Sequence, residues 1–223
     1  MAIKYHYDLE QGSDDWLEVR RGILTASEMK HIVTPTLKAA SNDKERAHLY
    51  ELVAQSISGY VEPHYISDDM LRGHVDEVEA RSLYAKHYAD AGHCGFITND
   101  KWGFTIGYSP DGLVGDDGAV ECKSRRQKYQ IETIVTNAVP TEHVLQCQTG
   151  LLVSERQWLD YVSYCGGLPM FVKRVYPDPK VQEAIVEASA VFYRKAQDMI
   201  ATYHKTIDEL KLVPTERKEI VII

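Results

Sequence analysis

The stretch that decides the fold is Gly107-Tyr108-Ser109-Pro110-Asp111-Gly112-Leu113-Val114-Gly115-Asp116-Asp117-Gly118-Ala119-Val120-Glu121-Cys122-Lys123-Ser124. A Pro-Asp-Gly turn and an Asp-Asp-Gly turn enclose a short apolar run, and a second apolar run follows. This pattern predicts a β-hairpin. Because residues two apart in a strand share a face, Glu121 and Lys123 point to one side and Cys122 to the other. A hairpin that returns Asp111 to the first side brings two carboxylates and one ammonium together.

Such a cluster suits metal-assisted hydrolysis. A hard ion such as Mg²⁺ takes oxygen ligands and keeps several waters. Asp111 and Glu121 supply two carboxylates, and the main-chain carbonyl of Cys122 is the predicted third oxygen. Lys123 would lie beside the attacking water, where it orients or deprotonates that water or stabilises charge on a phosphate. The alternative is a solvated strand face with an ordinary Glu-Lys pair, but an isolated charge in this apolar run would be costly.

The composition is that of an ordinary globular protein. The chain has 223 residues, 44% hydrophobic and 26% charged, which predicts a single domain over residues 1–223. A formal net charge of −8 argues against a free-standing basic DNA-binding surface, but it is compatible with an enzyme whose cations are confined to one groove. No apolar run is long enough to span a membrane and no signal peptide is evident, so we expect a cytoplasmic protein with no membrane association. The 4 cysteines form no C-x-x-C pair and are expected to be reduced thiols.

Hydrophobic periodicity outside this stretch predicts helices packed on a sheet. The predicted helices run from Ser13 to Gly22, from Thr25 or Ser27 to Val33, over 43–58, over 67–91, from Thr141 onward and over 177–212. The predicted strands are 94–98, 102–109, 118–124, 158–164 and 170–176; residues 125–135 show no clear pattern, and 218–223 suit a terminal strand or a subunit contact. This order indicates the α/β class, with a mixed central β-sheet flanked by helices, a core over about 10–176 and a C-terminal helix.

Four segments together resemble a known nuclease family. Ser109-Pro110-Asp111-Gly112 followed by Glu121-Cys122-Lys123 resembles the PD-(D/E)xK nucleases. Residues 16–28, 72–81 and 144–148 resemble, in the same order, motifs of the bacteriophage lambda exonuclease family, also called the YqaJ-like viral recombinases. The resemblance covers about residues 10–165 and implies a restriction-endonuclease-like PD-(D/E)xK core. The segment between Lys123 and Gln146 cannot be aligned with the family.

The resemblance also implies a role for each matching residue. Asp111 and Glu121 would hold the metal, and Lys123 would serve the attacking water. Glu77, on the predicted helix 67–91, would complete the metal shell directly or through water. The residues implied to bind the 5′-phosphate of a DNA end are Arg20, Ser27, Ser109 and Gln146. An arginine fork is apt there because it matches phosphate oxygens.

Each outlying residue also has a simpler interpretation. Glu77 could be a solvated helix glutamate, and Arg20 could merely complement the C-terminal end of a helix dipole. Ser27 could be a plain N-cap. Gln146 could be a helix-surface amide, with Gln148 as the competing candidate for its role.

The function implied by the resemblance is a Mg²⁺-dependent 5′→3′ exonuclease. It would digest one strand of linear double-stranded DNA and leave 3′ single-stranded tails, and Mn²⁺ would substitute for Mg²⁺. A homotrimer that encircles DNA and a partner that anneals single strands are implied as well, in the host cytoplasm if the protein is phage-encoded. The alternatives are a structure-specific or repair endonuclease of the same superfamily and a non-catalytic DNA-end-binding module. The intact Asp111, Glu121 and Lys123 argue against the second alternative.

Overall fold

A computed structural model describes residues 3–63 and 67–217, with the backbone alone at 68–70. The helices are α1 Asp14–Arg20, α2 Met29–Ile32, α3 Asp43–Ser58, α4 Asp68–His87, α5 Gln127–Thr136, α6 Thr141–Ser154 and α7 Pro179–Leu210. The strands are β1 Ile3–His6, β2 Leu24–Thr25, β3 Phe96–Asn99, β4 Ile106–Tyr108, β5 Gly112–Val114, β6 Gly118–Ser124, β7 Trp158–Tyr164 and β8 Phe171–Val175. The prediction for the tail 218–223 lies outside the described residues.

The strands form two mixed four-stranded sheets rather than one. The first sheet has the order β1-β3-β4-β2, with β2 and β4 parallel, and the second has the order β5-β6-β7-β8, with β6 and β7 parallel. The chain crosses from the first sheet to the second between Tyr108 and Gly112. Pro110 lies at this crossing and has no N–H with which to continue a ladder. The mixed α/β class is therefore confirmed, and Asp111 lies at the corner between the sheets.

The predicted hairpin is confirmed in the second sheet. β5 and β6 pair antiparallel, with Gly112 opposite Val120 and Val114 opposite Gly118. The predicted strand 102–109 is shorter, because the chain turns at Gly103, whose φ is 83°, and pairs only from Ile106. Buried Arg156 stabilises the turn of the hairpin by donating to the carbonyls of Gly115 (2.8 Å) and Gly118 (2.6 Å).

The two faces of β6 bury different residues. Ala119 belongs to the larger core cluster, while Val120 and Cys122 belong to a smaller one with Ala80 and Tyr84 of α4. Cys122 therefore faces α4 and Glu121 faces the opposite side, as the strand period predicts. The four cysteines are free and buried, and their reduced state stays a prediction.

The helix α6 connects the two sheets. It contacts β3 and β4 of the first sheet, β7 of the second, and the helices α2 and α7. Every residue from Cys147 to Ser154 is buried. The long helix α7 packs on α3 and α6 and contributes Val181, Ile185, Ala188 and Phe192 to the larger cluster. The single domain over 1–223 stays a prediction.

The segment 125–135, which showed no clear pattern, contains the helix α5. Its buried positions are polar: the Gln130 side chain donates to the carbonyls of Ser163 (3.0 Å) and Pro169 (2.7 Å) and accepts from the Ser163 hydroxyl (2.5 Å). The apolar Ile131 and Val135 are exposed instead. Because hydrogen bonds rather than apolar contacts attach α5, hydrophobic periodicity does not reveal it.

The helix starts are set by side-chain caps. The Ser13 hydroxyl accepts from the Trp16 N–H (3.2 Å), as predicted, and the helix α3 ends at Gly59 with a φ of 63°. The predicted second helix is divided into a 3₁₀ turn, Ala26–Glu28, and α2. Thr25 precedes that turn, so the interpretation of Ser27 as an N-cap is wrong. In the part of the chain that the structure describes, no helix is long and apolar enough to cross a membrane.

Candidate active site

Two hydrogen bonds hold Asp111 to the strand β6. Its main-chain N–H donates to the Val120 carbonyl (3.2 Å), and its carboxylate accepts from the Cys122 N–H (2.5 Å). The residue is buried, with 8% of its surface exposed. The carboxylate therefore lies beside Glu121, as the hairpin pattern predicts.

Glu121 is held by three donors from different elements. Its Oε1 accepts from Lys123 Nζ (2.5 Å) on β6 and from Gln146 Nε2 (2.5 Å) on α6, and its Oε2 accepts from the Tyr108 hydroxyl (3.0 Å) on β4. Only 1% of Glu121 is exposed, so the orientation of its carboxylate is fixed by these bonds. Hydrogen-bonding partners are required for a buried charge of this kind.

The electrostatics of the cluster favour an added cation. Burial, reinforced by the negative charge of Glu121, raises the pKa of Asp111 well above its usual range. Burial alone would lower the pKa of Lys123, but the charges of Glu121 and Asp111 outweigh it and raise that pKa. One ammonium thus faces two buried carboxylates, and a cation between the carboxylates would relieve their repulsion.

The donor set fits a hard divalent ion. The side chains of Asp111 and Glu121 offer only oxygen, as Mg²⁺ requires. Within the described ranges, no three His, Cys, Asp or Glu side chains gather to hold a metal. The backbone carbonyl of Cys122 as the third ligand stays a prediction.

A second group of residues lines the same cleft as the carboxylates. Arg20 Nη1 donates to the Ser109 hydroxyl (3.0 Å), and Trp16 Nε1 donates to the same oxygen (3.2 Å). The Arg20 guanidinium also lies over the Trp16 ring, 4.0 Å from its centroid. Arg20 is therefore fixed by stacking and hydrogen bonding rather than left at a solvated helix end, and burial lowers its pKa.

The structure separates the two glutamine candidates. Gln146 contacts Glu121 in the cleft, whereas Gln148 is buried and donates to the Tyr176 carbonyl (2.8 Å) while accepting from the Asp178 N–H (2.8 Å). Gln148 thus joins α6 to the start of α7. Two residues apart on a helix lie on nearly opposite faces, so only one of them reaches the cleft.

Ser27 is exposed and lines the cleft. The turn that carries it is held by Glu28, whose carboxylate accepts from the Thr25 N–H (3.1 Å) and hydroxyl (2.7 Å). The Ser27 hydroxyl lies 3.3 Å from that of Thr25. The side chain is therefore presented on a fixed turn.

Glu77 lies beside the cluster but does not line the cleft. Burial raises the pKa of Glu77, although Arg81 and Lys123 act in the opposite direction, so the carboxylate is within electrostatic reach of Lys123. Arg81 Nη1 is 4.0 Å away. The helix α4 packs on the Cys122 side of β6, opposite Glu121, which explains the offset. A role for Glu77 in the metal shell stays a prediction.

One cleft of ≈ 190 Å³ contains the other candidate side chains. Its lining is formed by Gln11, Trp16, Arg20, Thr25, Ala26, Ser27, Tyr108, Ser109, Asp111, Glu121, Lys123 and Gln146. Sequence reasoning missed Gln11, Trp16 and Tyr108. Trp16 is part of a motif noted above and Tyr108 directly precedes Ser109, but nothing in their spacing indicates the partners they contact.

Comparison with known proteins gives one family and a consistent fold. Residues 15–157 match the model of the YqaJ-like viral recombinase domain. The chain is similar to an alkaline exonuclease, LHK-Exo, from Laribacter hongkongensis: 28% identity, TM-score 0.79, covering 89% of this chain and 100% of that one. The structure of LHK-Exo in complex with dAMP matches at 29% identity and a TM-score of 0.74, with the same coverage. A phage-related exonuclease from Haemophilus somnus 129PT shares the fold at 11% identity and a TM-score of 0.58, covering 81% and 96%. A search of curated proteins found no significant match.

We predict that Asp111→Asn stabilises the protein in the absence of metal. The amide keeps an acceptor for the Cys122 N–H and removes one of two buried negative charges. In EDTA at pH 7 the thermal midpoint should rise by about 3 °C, or about 1 kcal/mol for a chain of this size. The gain should appear only above about pH 4. The pKa of Asp111 is raised in the folded state, so this carboxyl lowers the free energy of unfolding only at pH values at which it is ionised in the unfolded chain.

Differential scanning fluorimetry with and without Mg²⁺ measures this effect. Mg²⁺ should raise the midpoint of the wild type but not that of Asp111→Asn. Asp116→Asn, in the exposed hairpin turn, is the matched control and should change neither value. A variant less stable than the wild type in EDTA would show that the charge of Asp111 is compensated without metal.

Proposed function

The chain belongs to the YqaJ-like viral recombinase family, and from this premise we propose that it is a Mg²⁺-dependent 5′→3′ exonuclease acting on linear double-stranded DNA. One observation carries the proposal: a single cleft contains both the carboxylate pair with Lys123 and the Arg20–Ser109 pair. A nuclease that cuts at an end needs a site for the terminal phosphate beside the site that cuts the next phosphodiester. The cleft supports both requirements.

The contacts in the cleft support a separate proposed role for each residue. Arg20, Ser27 and Ser109 bind the 5′-phosphate, with the guanidinium already oriented by Trp16. Gln146 and Tyr108 hold the Glu121 carboxylate in place, and Gln146 stays a proposed ligand of the 5′-phosphate, since it lines the same cleft. Lys123 Nζ, an ammonium because its pKa is raised, orients the attacking water and stabilises negative charge on the phosphate. When bound by Asp111 and Glu121, Mg²⁺ would supply further positive charge that polarises the scissile phosphate.

The relatives support this choice of chemistry. LHK-Exo is described as an alkaline exonuclease, and it has been solved in complex with dAMP. A nucleoside monophosphate is the class of product that stepwise cutting at a 5′-phosphorylated end releases. Water attacks phosphorus, the P–O3′ bond breaks, and the 3′ oxygen leaves with a proton. Mn²⁺, which also binds carboxylate and water oxygens, should substitute for Mg²⁺.

We further propose a homotrimer and a partner that anneals the 3′ tails. The helix α4 exposes an apolar stripe of Leu71, Val75 and Val78, which supports a subunit contact because exposed apolar patches mark interfaces. A ring around DNA would also retain a chain of net charge −8 on its substrate.

Light scattering should give three times 25.3 kDa for the wild type and a lower mass for Val75→Asp/Val78→Asp. A wild-type monomer would contradict the trimer.

The experiment that tests the function uses linear duplex with a different label at each end of one strand. With Mg²⁺, the label at the 5′ end should be released first, and EDTA should abolish release. Lys123→Ala should lower kcat by roughly 10² to 10⁴, the range for lost electrostatic and proton-transfer catalysis. Lys86→Ala, an exposed lysine on α4 that does not line the cleft, should leave kcat unchanged. First release from the 3′ end would contradict the proposal.

Closed circular duplex separates the alternatives. An exonuclease leaves it intact, whereas an endonuclease of the same superfamily would nick or linearise it. Unchanged processing by Lys123→Ala would instead favour a non-catalytic DNA-end-binding module.

We predict that Arg20 confers the preference for a 5′-phosphorylated end. Arg20→Ala should lower kcat/KM on 5′-phosphorylated duplex by about 10- to 100-fold, because one charge-assisted contact contributes about 1.5 to 3 kcal/mol. Cutting of 5′-hydroxyl duplex should change little. Arg21→Ala is the control, since Arg21 bonds to the exposed Glu18 carboxylate and the Gly59 carbonyl outside the cleft. An equal loss on both ends would assign Arg20 a structural role instead.

A further inference from the structure

A basic segment directly follows the catalytic strand, and the function proposed above leaves it unassigned. The basic segment is Arg125-Arg126-Gln127-Lys128-Tyr129. No acidic residue occurs between Cys122 and Ile131, although the whole chain carries −8. Arg126, Gln127, Lys128 and Tyr129 are exposed. The segment therefore concentrates three cationic side chains on an acidic protein.

The backbone of the basic segment is held at the end of the second sheet. The Arg125 N–H donates to the Tyr164 carbonyl (2.7 Å) at the end of β7. Buried Gln130, which follows the segment, bonds to Ser163 and Pro169. Both ends of the segment are thus fixed to the sheet that carries Glu121 and Lys123, so its cations occupy defined positions relative to the cleft.

Two cations of the segment are arranged around one aromatic ring. The Arg125 guanidinium lies 5.0 Å and the Lys128 ammonium 4.6 Å from the centroid of the Tyr129 ring. Arg125 Nη1 also donates to the Glu142 carboxylate (2.9 Å) and lies 3.1 Å from His143 Nε2. These contacts limit side-chain freedom, so less entropy is lost when an anion binds.

The basic segment contacts the helix α6 about one turn before Gln146, through Arg125. His143 precedes Gln146 by one helical turn on the same face, and it contacts Arg125. Burial, with the positive charges of Lys123 and Arg125, lowers the pKa of His143 to about 3, so the imidazole adds no charge of its own. Arg125 follows Lys123 by two residues, which is about 7 Å of extended chain, and consecutive phosphates of one strand advance about 3.4 Å along the duplex axis. The segment therefore begins about two phosphate spacings along the chain from Lys123.

We propose that the basic segment binds the phosphodiester backbone of the DNA adjoining the nucleotide being cut, with Arg126 and Lys128 each contacting one phosphate. Phosphate contacts position a nucleic acid without reading its sequence, which suits an enzyme that must advance along any duplex. The inference rests on the proposed function, because it takes DNA as the substrate.

Binding of fluorescent 5′-phosphorylated duplex, measured by anisotropy in EDTA at several salt concentrations, tests the proposal without cleavage. Each phosphate contact contributes about 0.9 to the slope of log Kd against log salt concentration. The slope for Arg126→Ala/Lys128→Ala should fall by about 2, and the Kd at about 0.1 M salt should rise at least tenfold. Gln127→Lys should steepen the slope by about 1, a gain that misfolding cannot produce.

The matched control is Lys44→Ala/Lys205→Ala, which removes two exposed cations that do not line the cleft. Its slope and Kd should equal those of the wild type. In Mg²⁺ the Arg126→Ala/Lys128→Ala variant should show a raised KM and an unchanged kcat at saturating DNA. A slope equal to that of the wild type, or no binding of duplex by the wild type, would overturn the inference. Failure of the wild type to cleave DNA with Mg²⁺ would instead overturn the proposed function.

Discussion

The site depends on one hydrogen bond, from the Cys122 N–H to the Asp111 carboxylate (2.5 Å). It spans the corner at which the chain leaves the first sheet for the second. The bond fixes the Asp111 side chain against β6, so the carboxylate cannot turn away from Glu121. Since it uses a main-chain donor, its geometry follows from the hairpin register and not from a flexible side chain. The corner between the two sheets thereby positions Asp111 as one member of the carboxylate pair.

The second constraint is the unbalanced charge that this arrangement buries. Two carboxylates that are almost fully buried and one partly exposed ammonium leave a net negative charge. Such a centre opposes folding until a cation joins it, and hydrogen bonds from Tyr108 and Gln146 offset only part of the cost. The same imbalance suits the cleft to a hard divalent ion, whose positive charge would in turn attract a phosphate. Strain of this electrostatic kind is expected where a site is prepared for a charged substrate.

The helix α6 connects the two sheets and α7 to the residues that bond to Glu121. It presents Gln146 to Glu121 on one face, while Gln148 joins it to α7 on the other. Gly150 lets α6 approach Tyr108 closely: a Cβ at Gly150 would lie 2.8 Å from the Tyr108 ring. The Tyr108 hydroxyl can then reach Glu121. One helix thus sets the positions of two of the three donors to the central carboxylate.

Local sequence determined the parts of this protein that depend on backbone periodicity. The hairpin, the opposite faces of Glu121 and Cys122, the Ser13 cap and the stop at Gly59 were all predictable, because each involves residues at most a few positions apart. Tertiary packing alone decided that the strands form two sheets and that Gln146 rather than Gln148 lines the cleft. It also decided that Arg20 stacks on Trp16 and donates to the Ser109 hydroxyl. It also decided that α5 is attached by polar contacts and that Glu77 lies outside the cleft. Each of these outcomes depends on contacts between residues that are far apart in the chain. A sequence pattern predicts which face of a helix or strand a side chain occupies, but not which other element packs against that face.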